Sequence, residues 1–212
     1  MIKRLCDIVF SLLFLILLSP VMLVAAIAIH LEDRGPVFYR QERVTLDGKS
    51  FNILKFRSMV VDAERYGAIP ATENDPRITR VGRLLRKTRV DELPQLLNIL
   101  AGQMSFVGPR PERLLHATLY AQQVPEFNYR LRVKGGLTGY AQVYGKYNTS
   151  PEDKLKLDML YIENQSLLLD FKLALLTIKI IFSPESTEGF DKDRSERINR
   201  RDREGNENQW PT

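Results

Sequence analysis

The sequence predicts an α+β fold, mostly helical, in which a broken re-entrant membrane helix precedes a small β-hairpin and a set of interfacial amphipathic helices. Three observations carry that expectation. Ile8 to Ile29 is a run of twenty-two residues without a charge, interrupted at its middle by Ser19-Pro20. Two strand-like runs flank Leu46-Asp47-Gly48-Lys49, and Asp-Gly in that setting is a strong hairpin signal. From Thr79 onward, apolar residues recur at helical spacing. On this reading the chain divides into a membrane segment (residues 1–34), a compact unit with interfacial helices (residues 35–184) and a polar tail (residues 185–212).

As a helix, the uncharged run is about 33 Å long, which matches the hydrocarbon core of a bilayer. A plain spanning helix is the simplest account, and Ala26-Ile27-Ala28 also mimics a signal-peptide cleavage site. Pro20 removes the hydrogen bond to the Ile16 carbonyl, which predicts a bend at mid-depth, and the Ser19 hydroxyl is placed to re-satisfy a freed carbonyl. Lys3 and Arg4 precede the run and Arg34, Arg40 and Arg43 follow it, so the distribution of positive charge assigns neither end to the outside. A helix that enters and leaves by the cytoplasmic face satisfies both observations.

Beyond the hairpin, "DAERYG" from Asp62 predicts a short polar helix. "TRVGRLLRKTR", "ELPQLLNILAG" and "LLHATLYAQQV" predict three more, the last stopped before Pro125. Val133 to Tyr147 is glycine-rich and aromatic and reads as loop and short strand. Ser166 to Phe182 is apolar but carries Asp170, Lys172 and Lys179. Its two lysines, seven apart, share a face, as in a helix lying in the interface; a core helix with snorkelling lysines is the alternative. Glu185 to Thr212 is dense in mixed charge and is expected to be solvated and mobile.

A content of 44% hydrophobic residues supports a real core, and the formal charge of +5 points to an anionic partner: nucleic acid, phospholipid or a phosphorylated substrate. Cys6 is the only cysteine, which excludes an internal disulfide and a cysteine-based zinc cage, and His30 and His116 are too far apart to replace one. Any bound metal therefore has oxygen ligands. Arg77, Arg80, Arg83, Arg86, Lys87 and Arg89 form either a patch for anions or a solvated face. Asp91 and Glu92 follow directly. An isolated pair of this kind is usually exposed surface, but beside the basic run one carboxylate can hold a divalent cation while the other reaches a phosphorus atom. Arg110 lies between Pro109 and Pro111, whose rings stiffen its backbone, and its fork suits a phosphate.

The motifs "KR..D" at Lys3, Arg4 and Asp7, Ser19-Pro20, "GPVFYRQER", "FNILKFRSM", "DPRITRVGRLLRKTRVDELPQLLNILAGQMSFVGPRPE", "GLTGYAQV" and "KLDMLYIENQSLLLD" occur in this order. From Lys3 to about Phe182 the chain thereby resembles the monotopic phosphoglycosyl transferases, bacterial sugar transferases that prime glycan assembly, in their small catalytic-domain form. The resemblance implies that Asp91 takes a sugar 1-phosphate from a UDP-sugar, releasing UMP, and passes it to polyprenyl phosphate. It implies that Glu92 binds magnesium, with manganese as a substitute, and that Arg110, Arg89, Arg86, Lys55, Arg57 and Asp158 bind substrate or phosphate. Ser19 and Pro20 would form the membrane break, at the cytoplasmic face of the bacterial inner membrane, among membrane lipids. A homodimer is compatible with this picture, and nucleic acid has no place in it. The chain departs from the family pattern at Gly135-Gly136, where Pro-Gly is usual, and at Gln103, where aspartate is common. A membrane-tethered nucleic-acid-binding protein or a scaffold are the rival readings, although no helix-turn-helix, zinc-finger or aromatic RNA-binding signature is present.

Overall fold

The computed structural model of the chain describes residues 2–65, 75–145 and 149–181. Helix α1 runs from Ile2 to Asp33 and is long and apolar enough to cross a membrane. Pro20 lies inside it without ending it. The Ile16 carbonyl, which proline deprives of its usual donor, accepts from Ser19 Oγ at 2.8 Å. The break expected at Ser19-Pro20 is thus a local exchange of one hydrogen bond for another, and the helix continues through it. Ile16 and Leu17, beside the proline, are exposed, while the turns on either side pack against the body of the protein.

Both ends of α1 are tied to that body. At the first end, Lys3 Nζ donates to the Val107 carbonyl and to Tyr161, and pairs with Asp170 at 2.5 Å. Arg4 donates to the carbonyls of Ile99 and Leu100, and Asp7 accepts from Ser105 Oγ and the Phe106 amide. At the other end, the Glu32 carboxylate accepts from the amides of Arg80 and Val81, and Asp33 pairs with Arg57. The "KR..D" pattern is therefore a set of three side chains on one helix face, each occupied by the folded unit.

Strands β1 (Phe38–Val44) and β2 (Ser50–Phe56) form the expected antiparallel hairpin, in register from Phe38 opposite Phe56 to Val44 opposite Ser50. Asp47 and Gly48 take φ of 58° and 73°, the left-handed pair that a two-residue turn of this hand requires. Phe51 and Ile53 point from β2 into a core with Leu96, Ile99 and Met104, covered by Phe14 and Leu15 of α1. Phe56 joins Ala25, Ile29 and Leu85 in a second cluster. The helix expected over "DAERYG" does not form in its described part: Val61 to Arg65 is turn, and Tyr66 and Gly67 lie outside the described residues. The segment is instead held by side chains, with Glu64 bonded to Tyr39, Gln41 and Arg113.

Helix α2 (Arg80–Lys87) starts at Thr79, whose hydroxyl accepts from the Gly82 amide. A 3₁₀ turn at Val90–Glu92 leads into α3 (Gln95–Leu100). After β3 (Ser105–Val107), α4 (Leu114–Gln123) and a 3₁₀ segment at Pro125–Arg132, β4 (Gly136–Thr138) returns to pair in parallel with β3. A Cβ at Gly136 would stand 2.1 Å from the Gly108 nitrogen, so this approach requires glycine. Helices α5 (Tyr140–Tyr144), α6 (Pro151–Glu163) and α7 (Leu167–Ile181) complete the described fold. Val107, Tyr161 and Leu173 are their shared core. Leu168, Phe171, Leu175 and Ile178 of α7 are exposed, as are Lys172 and Lys179. The charged tail at 185–212 lies outside the described residues.

Arg57 is buried, donating to the carbonyls of Pro36 and Met59 as well as to Asp33, whose carboxyl this guanidinium holds down at about 2. Arg57→Ala removes the tie between α1 and β2 and is expected to cost about 1–3 kcal/mol, read as a lower Tm in detergent. An unchanged Tm would show that the apolar contacts of α1 suffice.

Candidate active site

The site grows from a sharp change of direction between α2 and α3. Arg89 takes a left-handed φ of 58°, a conformation that costs a non-glycine residue energy and persists only where the surroundings impose it. It ends α2 and turns the next three residues into the 3₁₀ segment that carries Asp91 and Glu92. Asn98, two turns on, fixes α3 to the free edge of β2: its side chain accepts from the Leu54 amide and donates to the Asn52 carbonyl. The neighbouring residue of β2 is Lys55, and the register brings it to the dyad.

Glu92 Oε1 accepts from Lys55 Nζ at 2.8 Å and from Arg110 Nη2 at 2.6 Å. Burial acts to raise its carboxyl, but Arg110 and then Lys55 outweigh burial and hold it well below the usual carboxylate range. Asp91, 9% exposed, goes the other way. Burial first, and then the charge of Glu92, push its carboxyl up against the counter-pull of Lys55, Arg86 and Arg89. Two adjacent carboxylates are thereby made unlike: Glu92 is a fixed charge between two cations, and Asp91 is the more basic group. Among the described residues, Asp91 Oδ1 is buried with no hydrogen-bond partner. A buried acceptor that the protein itself does not engage is open to a ligand or a reacting atom.

Lys55, Arg86 and Arg89 act on Asp91, and Lys55 and Arg110 pair with Glu92, so the structure brings these six sequence candidates together. Two other candidates stand elsewhere. Arg57 is consumed by Asp33 at the end of α1. Asp158 is fully buried and paired with Arg130, behind the Arg110 loop. Both were candidates through the family likeness, in the motifs "FNILKFRSM" and "KLDMLYIENQSLLLD", and only the fold shows the aspartate or arginine that each one meets. Sequence reasoning missed Arg43 and Arg130, whose guanidinium groups bond to the Pro111 and Arg110 carbonyls, and Asn98. Arg130 lies in no motif, and only its burial singles it out. The two departures from the family pattern meet at Thr45, whose hydroxyl accepts from the Gly135 amide and donates to the Gln103 carbonyl. Proline at 135 lacks the amide proton for this bond.

Among the described residues, no group of three or more His, Cys, Asp or Glu side chains is assembled. The oxygens that suit a hard cation are those of Asp91 and Glu92. One or two carboxylates, with water and substrate phosphates completing the shell, is the donor set of magnesium or manganese and not of zinc.

The fold and site together define a class: a protein carrying an apolar helix of membrane-crossing length beside a carboxylate dyad ringed by cations, fit for phosphate chemistry. The bacterial sugar transferase family model matches residues 1–184, and the chain belongs to that family. It is 45% identical over 181 residues to a UDP-glucose:undecaprenyl-phosphate glucose-1-phosphate transferase of Klebsiella pneumoniae, covering 83% of this chain and 39% of that one. It is 42% identical over 185 residues to a UDP-N-acetylgalactosamine-undecaprenyl-phosphate N-acetylgalactosaminephosphotransferase of Aeromonas hydrophila, covering 86% and 44%. A UDP-glucose:undecaprenyl-phosphate glucose-1-phosphate transferase of Caulobacter vibrioides is 40% identical over 189 residues, covering 87% and 71%. The chain thus spans about two-fifths of the length of the first two relatives.

Proposed function

We propose that the protein is a phosphoglycosyl transferase that moves a sugar 1-phosphate from a UDP-sugar to polyprenyl phosphate by way of an aspartyl-phosphosugar on Asp91. The carrying observation is the unpartnered, buried oxygen of Asp91 beside a glutamate gripped by two cations. An Asp91 oxygen attacks the phosphorus that bears the sugar; the bond to the UMP oxygen breaks, and UMP departs with the electron pair. A phosphate oxygen of polyprenyl phosphate then attacks the same phosphorus and releases Asp91 as carboxylate. Arg110, 33% exposed, is the side chain that reaches outward to the diphosphate, and together with Lys55 it keeps Glu92 ionised. Arg86 and Arg89 offset the repulsion between a carboxylate nucleophile and a diphosphate. A magnesium ion held by Glu92, with Asp91 beside it, would neutralise charge as it moves to the leaving UMP. Release of UMP from a panel of UDP-sugars in the presence of undecaprenyl phosphate tests the reading; a nucleic-acid binder or a scaffold releases none.

We propose further that α1 is re-entrant, that α7 lies in the interface, and that the site faces the cytoplasm. The support is that one folded unit holds Lys3 at one end of α1 and Asp33 at the other, while the middle of the helix around Pro20 is exposed and apolar. In a Cys6→Ser background, cysteines placed at Ile2 and at Arg34, both exposed, are expected to resist an impermeant maleimide in intact cells and to react once the membrane is opened. Labelling of either site from outside would leave a spanning helix as the correct topology.

A further inference from the structure

The loop that presents Arg110 is pinned at four successive carbonyls. Pro109 O accepts from the Gly136 amide at 2.9 Å, Arg110 O from Arg130 Nη2 at 2.9 Å, Pro111 O from Arg43 Nη1 at 3.0 Å, and Glu112 O from the Val44 amide at 3.0 Å. Pro109 and Pro111 also fix two of the backbone φ angles. A loop held in this way gives its one outward side chain a set origin. The first and last of these bonds come from backbone amides of neighbouring strands and would survive almost any side-chain change. The bond at Arg110 itself does not, because it comes from a side chain.

That side chain is expensively placed. Arg130 is 3% exposed, with Nε and Nη2 on Asp158 Oδ2 at 2.8 and 2.7 Å and Nη1 at 3.5 Å from Glu112. Its plane lies over Phe127, 4.9 Å from the ring centroid. Asp158 is fully buried, and its second oxygen has no hydrogen-bond partner among the described residues. Glu112 also pairs with Lys154 of α6. Buried ion pairs are poor stabilisers compared with apolar residues of the same volume, and one carrying an unsatisfied carboxylate oxygen is poorer still. A planar guanidinium, unlike an ammonium, can hold Asp158 with one edge and still direct an N–H at the Arg110 carbonyl.

We propose that Arg130, oriented by Asp158, is a positioning residue that acts through Arg110: it holds the Arg110 backbone so that the guanidinium meets both Glu92 and the diphosphate of the substrate. Asp158 on this account serves Arg130 and touches no substrate. The inference rests on the phosphoglycosyl transferase reading given above.

The test is a double-mutant cycle with two readouts: kcat and KM for UMP release, and the Kd for UDP in the presence of magnesium. Arg130→Lys and Asp158→Asn are each made in the parent and in Arg110→Ala. In the parent, either change is expected to lower kcat/KM about 10-fold or more and to weaken UDP binding, with Tm shifted by a few degrees at most. In Arg110→Ala, the same change is expected to cost less than about 2-fold, since the group through which it acts is gone. Equal losses in both backgrounds would overturn the proposal and leave Arg130 a structural residue, as would full activity of both variants. If Arg130→Lys fails to fold, the Asp158→Asn cycle decides the matter. A parent that binds UDP but releases no UMP refutes the catalytic reading, and the binding cycle then judges Arg130 separately; a parent that does neither overturns both.

Discussion

Asp91→Asn is expected to accumulate no covalent sugar phosphate and to turn over about 10³-fold more slowly than the parent, or worse, because an amide is a far poorer nucleophile than a carboxylate. On the proposed reaction, Asp91 is the member of the dyad that attacks. It is buried, its carboxyl is pushed up by that burial and by Glu92, and one of its oxygens has no hydrogen bond to break before it reacts. Incubation of the parent with its UDP-sugar and magnesium, without lipid acceptor, should release at most about one equivalent of UMP per site. Intact-mass spectrometry should then find a sugar phosphate on the protein, hydroxylamine should remove it as expected for an acyl phosphate, and two-substrate kinetics should be ping-pong. Sequential kinetics with no trapped adduct in a fully active parent would mean that the lipid phosphate attacks the UDP-sugar directly, with Asp91 as general base or metal ligand.

Glu92→Gln is expected to lower kcat by about 10²-fold and to raise the magnesium concentration needed for half-maximal rate. The substitution keeps the shape of the side chain and removes the charge on which Lys55 and Arg110 converge. Both cations then face an amide, and Arg110 loses the partner that sets its direction. Excess EDTA should abolish turnover, magnesium or manganese should restore it, and zinc should restore little, since the donors are carboxylates and not thiolates or imidazoles. Undiminished turnover in excess chelator would remove the metal from the mechanism. It would leave Glu92 the role the structure already displays, an anchor for two cations.

Some of this was legible along the chain because it is written in local chemistry. The hairpin rests on an Asp-Gly turn, α2 on helical spacing and a threonine cap, and the dyad, its arginines and the proline-framed Arg110 are close in sequence. Other elements carry too little local signal. The three-residue strand β3 shows no periodicity and exists only because it pairs, across the loop that holds Arg110, with β4, the short strand expected within Val133 to Tyr147; helix α5 in that same stretch was not expected. The helix expected from Asp62 failed in its described part because side-chain bonds of Glu64 to Tyr39, Gln41 and Arg113 hold that segment in turns.

The sequence by itself determined a long apolar N-terminal helix with a proline at its centre, a hairpin, a cation-rich approach to an acidic pair, and the family likeness that follows from their order. Only the tertiary structure decided which charges face one another. Arg57 and Arg130 are the same residue type, each buried and each paired with an aspartate, yet one fastens the end of α1 and the other holds the Arg110 loop. The reason is electrostatic. A charged side chain becomes useful or merely structural according to how far it is removed from water and what opposite charge it meets there, and both are set by residues far away along the chain.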